Sequence, residues 1–442
     1  MDKHLLKTFR DNMPEPLKYL SATFFRSILI KDEEFCKYYK LLEDRENLTS
    51  DEIKEYQFNQ LKEILIYSYK NVPYYQKLFN EISFNPFNFS DFKQIETIPF
   101  LTRELVKENF DELKSTAKIK NGYYQGSTGG SSGLPLEFYL DYNSIFKENA
   151  FIYYYRKKLG YKFSDKLITF RGIEFSNKFC KFNPMHNELI FCPKKLSKLT
   201  IASYVKEINE FKPSYLNGYL STIWYFAKLL DEYQIKLTSK LKGIFLISEN
   251  VNVDQRKFIE KFFEVKAITF YGHSERSVIA EEIVPDRYKF DPYYGFTETI
   301  PLENNKYSIV GTGFLNHKMP FIRYKTDDTC SPVNQYYSIK GKRDSSIGLY
   351  GYNNEFLSST AFDLSNPIFK NITAYQFIQE QIGKTELLVI VNKNFQMSEM
   401  EIIKNIINLK TKNIIDVEIK IIENLILSPR GKFQQYISSI KQ

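Results

Sequence analysis

The chain has 442 residues and a formal charge of +8, with 43% hydrophobic and 26% charged residues, which excludes a disordered or fibrous protein and leaves room for a large domain plus a second lobe. The positive excess is spread thinly and no run of consecutive Lys or Arg would track a phosphate backbone, so nucleic acid is not an expected partner, whereas anionic small molecules such as nucleotides are. Cys36, Cys180, Cys192 and Cys330 are too scattered for a disulfide framework, and without a signal-like start or an apolar run of bilayer length the expected location is the cytoplasm.

In chain order, the first hundred or so residues read as a helical cap on a larger domain. Pro14 to Leu42 carries an apolar stripe suited to packing on its own domain, with peripheral lipid contact as the other use of such a stripe. Leu61, Ile64, Leu65 and Tyr69 fall at helical spacing until Pro73 interrupts them. From Tyr123 to Leu140 the pattern becomes strand, Gly-rich loop, strand, and then a Tyr-rich helix from Ile145 to Leu159. Helix Tyr219 to Tyr233, a strand in LKGIFLIS, helix Val253 to Phe263 and a strand in VKAITFYG continue an alternation that predicts an α/β fold. Beyond Asp344, the runs ITAYQFIQE and TELLVIVN, a helix from Ser398 to Lys412 and the strand DVEIKII predict a small α+β lobe. The expected division is therefore 1–343 for the large domain and 344–442 for the small lobe, joined by a short connection within Gly341 to Gly351.

Chemistry first enters at QGSTGGSSGLPL, where Gly126, Gly129, Gly130 and Gly133 stand among Ser127, Thr128, Ser131 and Ser132. Glycines let main-chain amides converge on an anion and hydroxyls add donors, which suits a polyphosphate. The loop lacks the lysine of a P-loop and the G-x-G-x-x-G of a dinucleotide site, and a strand rather than a helix follows. On its own such a loop reads equally as a surface turn. Cys180, His186 and Cys192 are spaced C-x5-H-x5-C, but zinc would need a fourth ligand and a tight cysteine pair, so they read as thiols with an incidental histidine.

Six further segments occur in one order: YSYKNVPYYQKLF, IPFLTRELVKENF, YLNGYLSTIWYFAKLL, YGHSERS, MPFIRYKTDD and SPRGKFQQYIS. Together with the glycine loop they resemble the adenylate-forming superfamily, in the phenylacetate-CoA ligase-like branch that includes capsular-polysaccharide CapK proteins and deazaflavin-coenzyme adenylyltransferases. The likeness runs from Leu61 to the C-terminus. It implies a large adenylate-forming domain of sheets and helices with a small mobile α+β lobe, and ATP bound with magnesium. By this likeness Ser127, Thr128, Gly129, Gly130, Ser131, Ser132 and Gly133 cradle the ATP phosphates with Thr326 beside them, and Tyr271 and Gly272 lie against the adenine. Glu275 holds the magnesium ion, whose hardness suits a carboxylate together with phosphate oxygens. Asp328 accepts from both ribose hydroxyls, a task suited to two carboxylate oxygens. His273 reads as a satisfied polar neighbour. Arg343 joins the nucleotide site, Asp344 is the hinge, and Lys432 is the catalytic lysine of the small lobe. As a carboxylate attacks the α-phosphorus, negative charge crowds together, and a preorganised cation there is worth about 3 to 4 kcal/mol of transition-state stabilisation.

Three positions depart from the family pattern: Asp327 where glycine is usual, Lys342 where arginine is, and Leu136 where some relatives carry a basic residue. Asp tolerates a positive φ better than most residues, whereas Lys342 lacks the planar fork of an arginine. The resemblance implies activation of a carboxylate as its acyl-adenylate and transfer to a thiol or amine, such as coenzyme A, an amino acid or an amino sugar, in surface-polysaccharide biosynthesis. The alternatives are an adenylyltransferase that leaves AMP on its product and a non-catalytic nucleotide-binding relic. The acyl pocket is expected between Glu275 and Phe296 and along the helix from Ile145; the oligomeric state is not legible.

Overall fold

Helix Ser50–Asn71 opens on a reciprocal cap, in which Thr49 accepts from the Glu52 amide and Glu52 accepts from the Thr49 amide at 2.8 Å. It ends where Pro73, whose φ is preset for a first helical turn, starts helix Pro73–Glu81. The structure is a computed structural model describing residues 8–10, 12–128, 136–171, 178–341, 348–358, 371–427 and 434–440. Contacts divide the chain into two compact units: Met1–Asp165, Phe182–Asn187 and Ile268–Gly341 in one, Lys166–Lys181, Glu188–Ala267 and Lys342–Gln442 in the other.

In the first unit the stripe from Pro14 to Leu42 is divided among helices Glu15–Leu20, Ala22–Ile30 and Glu33–Asp44. The last break has a local cause, since Asp32 accepts from the amides of Glu34 and Phe35 and starts a new helix. Leu61, Ile64, Leu65, Tyr75 and Phe79 from the next two helices share one core with Leu136, Phe138, Phe321 and Tyr324. The unit's strands form an antiparallel array in the order Gly295–Pro301, Tyr307–Gly313, Tyr324–Val333, Tyr336–Lys340, Arg287–Phe290, Ile279–Val284, Ala267–Gly272. A separate hairpin, Tyr123–Ser127 with Glu137–Asp141, carries the glycine-rich loop at its tip. The Tyr-rich helix begins at Tyr142 rather than Ile145, because Asp141, the last residue of the hairpin, is also the helix cap: its carboxylate accepts from Ser144 N at 2.7 Å and from His317 N at 2.7 Å.

The second unit holds parallel strands in the order Gly243–Leu246, Tyr215–Gly218, Leu167–Phe170, Glu188–Phe191. All of their residues are buried, as expected where helices cover a parallel sheet. Helices Ile201–Phe211, Leu220–Glu232 and Val253–Phe263 accompany them, the last capped by Asn252. Its C-terminal part is a four-stranded sheet, Asp416–Ile421, Lys384–Val391, Ile372–Gln381 and Tyr436–Ser438. Helix Ser398–Lys410 contributes Ile403 and Ile407 to the same core as Phe377, Leu387 and Val389. Polar ties run from this part to the rest of its unit: Thr373 donates to Glu232 at 3.0 Å, and Lys198 Nζ donates to Val391 O at 2.5 Å. No helix among the described residues is long and apolar enough to cross a membrane.

The cap at Asp141 brings a titratable group with it. His317 lies edge-on to Tyr67, at 4.8 Å between ring centroids. Burial first, and then the Lys147 cation, draws its imidazole from 6.5 down to about 4, with Asp141 opposing. The unfolded chain therefore takes up a proton near pH 6.5 that the folded chain refuses until about pH 4, so this stabilisation is complete above the higher value and lost as pH falls through the lower one. Urea unfolding is expected to show wild type losing on the order of 2 kcal/mol more than His317→Gln between neutral pH and the acid end of that window.

Candidate functional site

Strand Ala267–Gly272 ends at Tyr271 and an exposed Gly272. The chain then passes through His273 and Glu275 before returning as strand Ile279–Val284, with Tyr271 paired to Ala280 and Gly272 to Ile279. Arg276–Val278 lies directly on the main chain of the strands beside it. A Cβ on Gly295 would stand 2.7 Å from Thr312 O and 2.9 Å from Ser277 O, one on Gly311 2.8 Å from Ser277 O, and one on Gly313 would collide with Arg276 O. Glycine at these places lets the segment seat, and with it Glu275, which is 7% exposed.

Tyr271 and Asp328, far apart in sequence, meet here. The Tyr271 phenol donates to Asp328 Oδ2 at 2.9 Å and also meets His273 Nε2. A phenol has one proton, so with that proton on Asp328 it is His273 that donates from Nε2. Burial, and then the charge of Asp328, pushes the Tyr271 phenol well above its ordinary value, so it keeps the proton it donates. His273 stands at 3.8 Å from Asp328 Oδ2, a polar neighbour with its partners in place. Thr326 donates to Ile309 O at 2.9 Å and accepts from Asp328 N at 3.3 Å, which braces the irregular stretch of strand Tyr324–Val333 that presents Asp328. Asp327 has φ of 66°: the left-handed backbone that glycine favours is retained with an aspartate in it.

Glu275 accepts from the Tyr324 phenol at 3.3 Å, and burial followed by the Glu275 charge holds that phenol protonated. Tyr324 lies tilted against Phe321 at 4.8 Å between ring centroids, and Phe321 meets Phe138 of the hairpin edge-on at 6.5 Å. The stem of the glycine-rich loop is therefore packed against the partner of Glu275. At the neck, Thr128 N donates to Leu136 O at 2.9 Å and Thr128 Oγ1 accepts from Leu136 N at 3.1 Å. Leu136 is fully buried, so the residue standing where some relatives carry a basic side chain serves the core. Ser127 pairs with Glu137 in the stem. Gly129, Gly130, Ser131, Ser132, Gly133, Arg343, Asp344 and Lys432 lie outside the described residues.

Four residues of this site, Arg276, Tyr294, Tyr324 and Glu148, were not singled out by number from the sequence, although Arg276, Tyr294 and Glu148 fall in the stretches expected to line the acyl pocket. Arg276, directly after Glu275, donates from Nε to Glu148 Oε2 at 3.1 Å, from Nη2 to Tyr124 of the hairpin at 3.3 Å and from Nη1 to Ser144. Tyr294 donates to the other oxygen of Glu148 at 3.1 Å. Arg276 and Tyr324 stand inside quoted motifs and were legible as neighbours, whereas nothing in the pattern of helix Tyr142–Lys157 marks Glu148. Among the described residues no group of three acidic, His or Cys side chains could cage a metal. Magnesium, however, keeps several waters and takes one or two carboxylates together with substrate phosphates, and the single carboxylate of Glu275 suits that mode. His186 is engaged by Tyr153 at 3.0 Å, and Cys192 is buried.

Residues 351–439 match the CapK C-terminal domain family. Protein CapK of Staphylococcus aureus is 24% identical over 413 residues, covering 88% of this chain and 89% of its own. Among solved structures, a 2-hydroxyisobutyryl-CoA ligase in the postadenylation state with R3-HIB-AMP superposes with a TM-score of 0.65 at 15% identity, over 90% of this chain and 92% of that one. The same ligase with 2-HIB-AMP and CoA in the thioesterification state gives 0.55 at 16% identity, over 90% and 91%. The chain thus has the α/β fold of the adenylate-forming ligases with a smaller C-terminal domain, and its resemblance to the CapK branch extends over most of its length.

The left-handed turn gives a test of the first departure. Asp327→Ala is expected to lower thermal stability by about 1 kcal/mol, because alanine pays the Cβ penalty without a polar side chain to offset it, whereas Asp327→Gly melts at or above the wild-type temperature.

Proposed function

We propose that this chain is an ATP-dependent ligase that activates a carboxylate as its acyl-adenylate and passes it to a thiol or amine acceptor. The observation that carries this reading is the meeting of Tyr271 with Asp328 and of Glu275 with Tyr324, beside a hairpin whose tip is rich in glycine and hydroxyls. An aromatic ring, a buried carboxylate and a diol-accepting carboxylate, set against an amide-rich loop, answer the parts of ATP in turn. In this reading Tyr271 and Gly272 flank the adenine and Asp328 accepts from the ribose, with Arg343 nearby. Ser127, Thr128, Gly129, Gly130, Ser131, Ser132 and Gly133 cradle the phosphates with Thr326 beside them. Because Thr326 already donates to Ile309 O, its part is to shape the turn as much as to meet phosphate.

Glu275 would hold magnesium, which when bound draws charge off the phosphates and eases departure of pyrophosphate. A carboxylate oxygen attacks the α-phosphorus as the bond to pyrophosphate breaks. Lys432, brought in by the lobe 344–442 turning about Asp344, offsets the charge that accumulates there. The similarity to a CoA ligase with acyl-AMP and CoA supports a thiol acceptor. The CapK-like sequence supports an amino sugar or other component of a surface polysaccharide as acceptor, and with it the cytoplasm, where ATP and activated sugars are made, as the location of this reading.

The test is hydroxylamine trapping of activated acids, with aryl, amino and hydroxy acids including 2-hydroxyisobutyrate, in the presence of magnesium ATP. We expect a hydroxamate and pyrophosphate in equal amounts with at least one acid, and a drop of about two to three decades in that rate for Lys432→Ala. An AMP-bearing product stable to hydroxylamine would instead indicate the adenylyltransferase, ATP uptake without turnover would indicate the nucleotide-binding relic, and no ATP uptake by calorimetry would overturn the reading.

A further inference from the structure

Arg171 directly follows strand Leu167–Phe170 in the second unit and is half-buried. Its Nε is shut off from solvent without a hydrogen-bond partner, and among the described residues no carboxylate or carbonyl engages the rest of its guanidinium. The buried arginines Arg256, Arg276 and Arg323 are spent by contrast: Arg256 on Glu260 at 3.4 Å and on Ala267 O, Arg276 on Glu148, Tyr124 and Ser144, Arg323 on both oxygens of Glu298 at 3.0 and 2.7 Å. A guanidinium can only donate, and withdrawing its N–H groups from water without an acceptor is unfavourable.

The place of Arg171 in the sheet matters as much as its lack of a partner. Of the parallel strands, the first in sequence, Leu167–Phe170, lies between the second, Glu188–Phe191, and the third, Tyr215–Gly218. The chain thus leaves the first strand to one side and then returns to the other. In open α/β sheets the crevice at the carboxyl ends of the strands, where the order reverses in this way, is where ligands bind. Arg171 stands at that end, its N–H donating to Phe191 O at 3.4 Å.

Phe170 turns toward the helices, with ring centroids 5.1 Å from Phe226 and 6.5 Å from Tyr204. Side chains alternate along a strand, so Thr169 and Arg171 take the other face. That face is polar although buried: Thr169 donates to Glu188 and accepts from Asn217 Nδ2 at 3.0 Å. Parallel strands covered on both sides are ordinarily apolar throughout, so a polar file leading to this arginine is not what packing alone requires.

We propose that Arg171 anchors a small-molecule site at the reversal of strand order, where its planar fork takes an oxyanion, the carboxylate or phosphate group of an anionic ligand. The inference goes beyond the nucleotide reading and uses none of the residues assigned to ATP.

The test treats full-length protein with phenylglyoxal, which condenses with guanidinium groups that are not engaged, and reads the modified arginines by mass spectrometry. We expect Arg171 to react about tenfold or more faster than Arg256 and Arg276, whose groups are held in hydrogen bonds. Saturating succinate or inorganic phosphate is expected to slow its reaction about threefold or more, whereas succinamide, the uncharged analogue of succinate, and sodium chloride at matched ionic strength leave it unchanged. The anion that protects at the lower concentration tells a carboxylate ligand from a phosphate ligand. Calorimetry with that anion is expected to show Kd raised about tenfold or more in Arg171→Gln and by less in Arg171→Lys, which keeps the charge without the fork. Without added anion both variants are expected to melt with wild type, since no bond is lost. Slow labelling of Arg171, equal protection by succinamide, or unchanged anion affinity in Arg171→Gln would each overturn the inference. No arm of the test involves ATP, so its outcome is independent of the nucleotide reading.

Discussion

The candidate site depends on a close approach of main chain to main chain. Arg276–Val278 lies on strands Gly295–Pro301 and Tyr307–Gly313, where Gly295, Gly311 and Gly313 set no side chain in its way and the Val278 side chain seats over Gly311. Protein interiors are packed too tightly for a side chain to be added there without moving the segment. Everything around the candidate ATP pocket is referred to that seat: Glu275 just before it, Arg276 within it, and Tyr271 on the strand leading to it.

From the seat, rigidity passes outward through polar groups that are matched rather than merely near. Arg276 spends its guanidinium on Glu148, Ser144 and Tyr124, tying the seat to helix Tyr142–Lys157 and to the hairpin at once. A second buried network repeats the device a short distance along the sheet, where Arg45 pairs with Asp291 at 2.5 Å and Asp291 also accepts from Tyr155 at 2.8 Å. Removing one member of such a set leaves a buried charge without its partner, which is far costlier than the net worth of the pair. These ties hold the N-terminal helices and the helix Tyr142–Lys157 on the antiparallel strands. The carboxylates assigned to nucleotide binding, by contrast, are bonded to phenols, Asp328 to Tyr271 and Glu275 to Tyr324. A phenol satisfies one carboxylate oxygen without setting an opposite charge beside it.

The regular elements were largely legible, because amphipathic period and capping chemistry are local. Val253–Phe263 has the boundaries read from sequence, and the C-terminal strands and helix fall within a few residues of theirs. The misreadings also have local causes that period alone conceals. Asp32 divides an apolar stripe into separate helices, and Asp141 serves as strand end and helix cap together. In the site, the motif residues were legible one by one. The resemblance already set Tyr271, Glu275 and Asp328 around one nucleotide, but the bonds they make, Tyr271 to Asp328 and Tyr324 to Glu275, carried no signal in the sequence. Glu148 was not singled out for a related reason: a half-buried polar residue on a helix announces no partner until the fold supplies one.

The wall behind the hairpin has a consequence for how this chain can be divided. Leu136, Phe138 and Tyr324 are covered by Leu61, Ile64, Leu65, Tyr75 and Phe79, so the N-terminal helices are the other half of the hairpin's own core. A fragment cloned to begin after them would expose that apolar face and leave the glycine turn on an unsupported ribbon, which is marginal in water. Chimeras that exchange the nucleotide turn between relatives must therefore carry both halves of the wall, and a junction placed between the helices and the hairpin would cut through a single packing unit.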